Sequence, residues 1–77
     1  MVDVIVYTAP GCSACSLLKN FLKENKVEFK EVNLMADRKK AQEIVARSGA
    51  MSVPQVELDG EIIVGFNKEA LKAKLGL

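Results

Sequence analysis

The run Tyr7-Thr8-Ala9-Pro10-Gly11-Cys12-Ser13-Ala14-Cys15-Ser16-Leu17-Leu18 constrains the fold more than any other, because it sets the only two cysteines three residues apart at a change of hydrophobic period. Before it, Val2 to Tyr7 is dominated by β-branched and aromatic residues and reads as a strand. After it, Leu17, Leu18, Phe21 and Leu22 are spaced as one face of a helix. The pair therefore sits where a strand turns into a helix. A helix start leaves backbone N–H groups unpaired and carries partial positive charge, so a sulfur placed there is stabilised as its thiolate. Spacing at i and i+3 in a first turn brings both sulfurs onto one face, within bridging distance. Such a pair can cycle between dithiol and disulfide.

The remaining chain supplies support. Val2, Val4 and Val6 alternate with Asp3, Ile5 and Tyr7, so both faces of the first strand are largely apolar and a central position is expected. Pro10 and Gly11 break that strand, and the first helix is expected from about Cys12 to Asn25, with Lys19, Lys23, Glu24 and Lys26 on its wet side. Val27 to Asn33 reads as a polar edge strand, joined to the first by a right-handed crossover and hence parallel to it. Asp37 is placed to cap a second helix carrying Ala41, Ile44, Val45 and Ser48, which Gly49 ends. The basic excess on this helix, from Arg38, Lys39, Lys40 and Arg47 against Asp37 and Glu43, reads as a solvated face, with a docking patch for an acidic partner as the alternative. Gln55 to Leu58 and Glu61 to Val64 flank Asp59-Gly60, a strong hairpin signal, so these strands are antiparallel. Asn67 then caps a third helix bearing Ala70, Leu71 and Leu75, ended by Gly76. The order β-α-β-α-β-β-α defines an α/β fold, expected as a single domain over residues 1–77.

Composition narrows the function classes. At 49% hydrophobic and 27% charged residues the chain has the balance of a soluble globular protein. A net charge of +1 offers nothing for nucleic acid or an acidic membrane to recognise, so neither is expected as a partner. Met1 to Tyr7 lacks the basic start and cleavage site of a leader, and no apolar run reaches spanning length, so a cytoplasmic location is expected. In that reducing compartment a C-x-x-C pair serves redox chemistry or metal binding in preference to crosslinking, and a bridge closing so small a loop stabilises little. With no His and two Cys, one chain cannot assemble a four-ligand zinc site. A metal-transfer module of the ferredoxin-like, copper-chaperone type also opens its first helix with C-x-x-C. Against it stand the helical end of the chain, the lack of a Met shortly before Cys12, and Val53-Pro54, which has no task there.

Four places together resemble the glutaredoxins, the shortest form of the thioredoxin fold: Tyr7-Thr8, Cys12-Ser13-Ala14-Cys15, Ser52-Val53-Pro54 and Gly65-Phe66-Asn67. The resemblance covers nearly the whole chain. It implies a four-stranded mixed sheet in the order 2-1-3-4 with helices on both faces, and a thiol–disulfide oxidoreductase with Cys12 attacking and Cys15 resolving. It also implies a cis bond before Pro54, and a substrate surface formed by Pro10, Gly11, Ser13, Ala14, Ser52, Val53, Pro54, Gly65, Phe66 and Asn67. Phe66 has two open placements, core or substrate side, as does Tyr7 between the sheet and the site. Met51 is expected to fill a gap.

The departures bear on the partner. Glutaredoxins usually read Cys-Pro-Tyr-Cys after a basic residue, where this chain has Ala14 and Ala9, and the loss of both weakens a glutathione site. Lys39, Lys40 or Arg47 remain as cations that the second helix could bring to the groove. Val64-Gly65-Phe66-Asn67 is similar instead to the turn of the NrdH-type redoxins, which donate electrons to ribonucleotide reductase and are recharged by thioredoxin reductase. The expected partners are therefore disulfide-containing proteins, ribonucleotide reductase among them if the NrdH likeness holds, and either glutathione or, by preference, a thioredoxin reductase as reductant. The protein is expected to be a monomer with no tightly bound cofactor. Family members with small residues between the cysteines suggest one alternative, a dimer holding an iron–sulfur cluster through Cys12 and glutathione. No Lys or Arg lies between Met1 and Leu18, and Lys19 is expected to point from two turns along the helix, so any acidity of Cys12 must come from the helix start, backbone N–H groups and the Cys15 thiol.

Overall fold

A computed structural model describes residues 3–77, and the expectation for Val2 falls outside them. The elements run β1 (Val4–Thr8), α1 (Ser13–Glu24), β2 (Lys30–Asn33), α2 (Arg38–Ser48), β3 (Gln55–Leu58), β4 (Glu61–Val64) and α3 (Lys68–Leu75). The sheet order is β2-β1-β3-β4, with β1 and β2 parallel and the other neighbours antiparallel. This is the mixed sheet of the thioredoxin fold, and it sets aside the ferredoxin-like alternative.

Strand alternation sorts the two faces. Val4 and Val6 of β1 lie opposite Leu58 and Val56 of β3, and these four join Leu18, Phe21 and Leu22 of α1 and Leu71 of α3 in one buried cluster. On the other face Tyr7 is fully buried, and its hydroxyl donates to Glu57 Oε1 at 2.7 Å. Arg47 reaches the same oxygen from α2 at 3.1 Å and donates to the Gly60 carbonyl at 2.9 Å, so α2 is clamped over this second face. Tyr7 thus belongs to the sheet. The Tyr7 hydroxyl and Arg47 hold the Glu57 carboxyl below its usual range, and burial, followed by the Glu57 carboxylate, pushes the Tyr7 phenol up.

Local chemistry explains the ends. Asp37 and Asn67 accept backbone N–H bonds from Lys40 at 3.0 Å and Ala70 at 3.1 Å, and Gly49 and Gly76 close α2 and α3 in the left-handed region. Asp59 and Gly60 both have positive φ, as the tight hairpin turn requires. Helix α1 ends at Asn25 with Lys26 left-handed, while Lys26 N–H bonds Lys23 O and Val27 N–H bonds Leu22 O. That double closure turns the chain back over the core before it can pair. Strand β2 therefore starts at Lys30, later than the expected Val27, while Val27 and Phe29 pack against the core from the connection.

Two apolar residues depart from expectation. Leu17 is 58% exposed, since the stripe facing the sheet is carried by Cys15, Leu18, Phe21 and Leu22. Met51 fills no gap: at 82% exposure it lies on a loop that runs over the surface before β3. Phe66 resolves toward the core, edge-to-face with Phe21 at 5.8 Å, with the Lys68 ammonium 5.7 Å from its ring centre.

Candidate active site

Residues Ala9 to Cys12 carry the chain from β1 to α1, with Gly11 in the left-handed region at φ 74°. Cys12 is extended at φ −93° and ψ 102°, and it is the N-cap of α1: its sulfur accepts the Cys15 N–H at 3.1 Å. A sulfur thus takes the place that Ser, Thr or Asp usually fills. Its carbonyl accepts the Ser16 N–H at 3.3 Å, closing the first turn. Cys12 and Cys15 are bridged, with Cα atoms 5.3 Å apart. Their exposures differ. Cys15 is buried at 2%, whereas Cys12 remains half-buried, so an incoming group meets Cys12 first.

The strand neighbours of β1 set the flanks. Tyr7 pairs with Gln55, which puts the start of β3 beside the end of β1, and the Val53–Pro54 bond there is cis. The Pro54 carbonyl accepts the Gly65 N–H at 2.8 Å, tying this loop to the β4–α3 turn. Fully buried Gln55 holds the loop from beneath, its side-chain amide donating to the carbonyls of Ala50 at 3.0 Å and Ser52 at 2.7 Å. On the other flank Thr8 pairs with Asn33 at the end of β2.

Between α1 and β2 lies a cleft of about 430 Å³ that reaches both cysteines and includes Pro10, Gly11 and Ser13. Of the other expected site residues, Ala14, Ser52, Val53, Pro54, Gly65, Phe66 and Asn67 do not line it. Asn67 is occupied as a helix cap and Phe66 by the core. The cleft is lined instead by residues the sequence reading did not assign to the site: Thr8, Lys19, Glu31 and Asn33. Lys19 Nζ donates to both Glu31 oxygens at 3.2 Å, and the Thr8 hydroxyl donates to Glu31 Oε2 at 2.9 Å. Thr8, and after it Lys19, keep the Glu31 carboxyl below its usual range. Lys19 is no solvated bystander. Cys12, Ser16 and Lys19 recur at i, i+4 and i+7, a helical-face signal that could have found it. None of Lys39, Lys40 and Arg47 lines the cleft, and two of them are paired on α2's own side, Arg47 with Glu57 and Lys40 with Glu43 at 3.5 Å.

Among the described residues no group of three or more His, Cys, Asp or Glu is placed to hold a metal ion, and no helix is long and apolar enough to cross a membrane.

The N-cap bond predicts a measurable acidity. In the reduced protein the Cys15 N–H and the start of α1 stabilise a Cys12 thiolate, so the Cys12 pKa should fall below the free-thiol value of about 8.5. Alkylation rate against pH reads it directly, and a midpoint at or above that value would refute the activation.

Comparison with known proteins gives a consistent result. The profile of the glutaredoxin family matches residues 4–63. An uncharacterized glutaredoxin-like 8.6 kDa protein in the rubredoxin operon of Clostridium pasteurianum is 40% identical over 63 residues, covering 82% of this chain and 84% of its own. Glutaredoxin 3 of Escherichia coli (strain K12) is 35% identical over 78 residues, covering 100% of this chain and 94% of its own. Among solved structures, the thioredoxin-like protein BC3987 superposes with a TM-score of 0.86 at 33% identity, over 94% of this chain and 99% of that one.

Proposed function

This chain belongs to the glutaredoxin family, and we propose on that premise that it reduces disulfides through a Cys12/Cys15 dithiol–disulfide cycle. The family, the fold and the cysteine pair support thiol–disulfide oxidoreductase activity. The observation that carries the roles is the asymmetry of the pair: an accessible Cys12 sulfur holding a backbone N–H bond, and a buried Cys15 behind it. The Cys12 thiolate attacks a substrate disulfide, forming a mixed disulfide and releasing one thiolate, which takes a proton from solvent. Cys15 loses its proton and displaces the second substrate thiolate, leaving the Cys12–Cys15 bridge. Two electrons pass to the substrate and no cofactor takes part.

The reductant that reopens the bridge is a thioredoxin-reductase-type flavoprotein in preference to glutathione. A small tripeptide with two carboxylates needs a cation and an aromatic surface beside the cysteine. Ala9 and Ala14 offer neither, none of Lys39, Lys40 and Arg47 lines the cleft and no aromatic residue does, and Lys19, the cation that lines it, can serve one of the two carboxylates and leaves the other unpaired. A protein partner docks over a wider surface, where Gly11, Ser13 and Ala14 allow close approach and the backbone at Val53 offers an added-strand contact. The substrates are protein or small-molecule disulfides, with ribonucleotide reductase the protein suggested by the NrdH-like turn, and the protein acts as a monomer in the cytoplasm. Oxidised protein tests this. With one disulfide substrate, NADPH should be consumed with thioredoxin reductase faster than with glutathione plus glutathione reductase; turnover with glutathione alone would reverse the assignment of reductant.

A further inference from the structure

We propose that the α1–β2 arm of the cleft, formed by Lys19, Glu31 and Asn33, recognises the α-amino-carboxylate group of amino-acid disulfides, cystine being the simplest. This deepens the oxidoreductase reading and rests on it. The arm lies across β1 from the Pro54 loop, and it is the polar end of a cleft that reaches both sulfurs. It presents one cation and one anion side by side, and an α-amino acid carries the complementary pair on one carbon.

Three features fit such a ligand. The Lys19–Glu31 pair is open, with side chains 27% and 42% exposed, and a partly solvated pair of this kind exchanges partners at little cost. Glu31 stays in place when Lys19 turns to a ligand carboxylate, because the Thr8 hydroxyl holds it independently at 2.9 Å. Asn33 accepts the Met35 N–H at 2.8 Å through Oδ1, which leaves its NH₂ without a partner among the described residues and available to the same carboxylate. The reach is right. Lys19 lies two turns beyond Cys12, about 10 Å along the axis, and a helical side chain leans back toward the N-terminus by about a turn. The ammonium therefore leans toward the cysteine end of a cleft that Cys12, Cys15, Lys19 and Glu31 line together, so a short disulfide held at Cys12 has its charged end in the same cleft as the pair.

The chemistry is the cycle already described. Cys12 attacks one sulfur of cystine and one cysteine leaves; Cys15 displaces the second, so two cysteine thiols form as the protein is oxidised to its bridged state. The test is single-turnover reduction by pre-reduced protein of four disulfides: cystine, cystamine (ammonium only), 3,3′-dithiodipropionate (carboxylate only) and bis(2-hydroxyethyl) disulfide (neither). Each rate is divided by that of dithiothreitol with the same compound, which removes intrinsic reactivity and leaves protein recognition. Cystine should exceed cystamine and dithiodipropionate by about tenfold each, as for a charged hydrogen bond of ordinary strength, and bis(2-hydroxyethyl) disulfide, which lacks both groups, by more than either. Lys19→Met should erase the advantage over cystamine, and Glu31→Gln the advantage over dithiodipropionate. Because ratios are compared, a change in Cys12 acidity cancels. Equal normalised rates, or a preference for cystine that survives both substitutions, would overturn the assignment while leaving the oxidoreductase reading intact. Failure on all four with a protein disulfide still reduced would overturn this proposal alone, and failure on the protein disulfide as well would refute that reading and this proposal with it.

Discussion

Replacing Cys12 with serine reduces disulfide turnover to the uncatalysed rate, whereas replacing Cys15 with serine lets the first exchange proceed and halts the second. The two outcomes follow from the helix start. Cys12 Sγ is the atom that accepts the Cys15 N–H, and it is the more exposed of the two sulfurs, so a serine there keeps the cap and loses the nucleophile. Cys15 lies behind it at 2% exposure and reaches a bound substrate only through Cys12. Its serine variant should therefore accumulate protein bearing one substrate thiol, visible as a single adduct by mass spectrometry and released by dithiothreitol. Full turnover by Cys12→Ser would rule out the assigned order, and an adduct on Cys15 would invert it.

How much of this was legible beforehand depends on whether the signal was local. Asp37, Asn67, Gly49, Gly76 and the Asp59-Gly60 turn act through their own backbone neighbours, and the structure places each at the boundary expected of it. The cysteine pair is local as well: three residues fix both the cap and the bridge. What failed needed a second element. The shift of β2 to Lys30 comes from the closure of α1 over Leu22 and Lys23, and nothing in Val27-Glu28-Phe29 reports it, since those apolar residues are still used, in the core. Lys19 and Glu31 are twelve residues apart and meet only because β2 lies beside β1 under α1, a consequence of topology. Gln55 reads as a polar strand residue, yet it is buried because the loop it supports brings two carbonyls to its amide. Leu17 and Met51 went wrong in the other direction. Hydrophobicity alone does not bury a side chain at the margin of so small a core.

That small core also makes its central contacts decisive, and Leu22→Ala should show it. Leu22 is fully buried where α1 crosses the sheet, in the cluster with Val4, Val6, Val56 and Leu71. Truncating a leucine at such a site costs about 2–5 kcal/mol, transfer and cavity together, a large share of the roughly 4–11 kcal/mol expected for a chain of 77 residues. For a domain of this size each 1 kcal/mol moves Tm by about 4–8 °C, so a drop of at least ~8 °C is expected, with a matching fall in the urea midpoint at unchanged slope. The Cys12–Cys15 bridge cannot offset it, since a crosslink three residues long constrains little of the unfolded chain. The effect should reach the site in step with unfolding alone. Leu22 holds the far end of α1 and touches neither sulfur's cap, so well below its Tm the variant should keep the Cys12 alkylation midpoint of the parent protein. A loss of stability under about 1 kcal/mol would mean that α1 is not anchored through Leu22, and a shifted midpoint in the folded variant would mean that the helix start depends on packing nearly three turns away and not on its own cap.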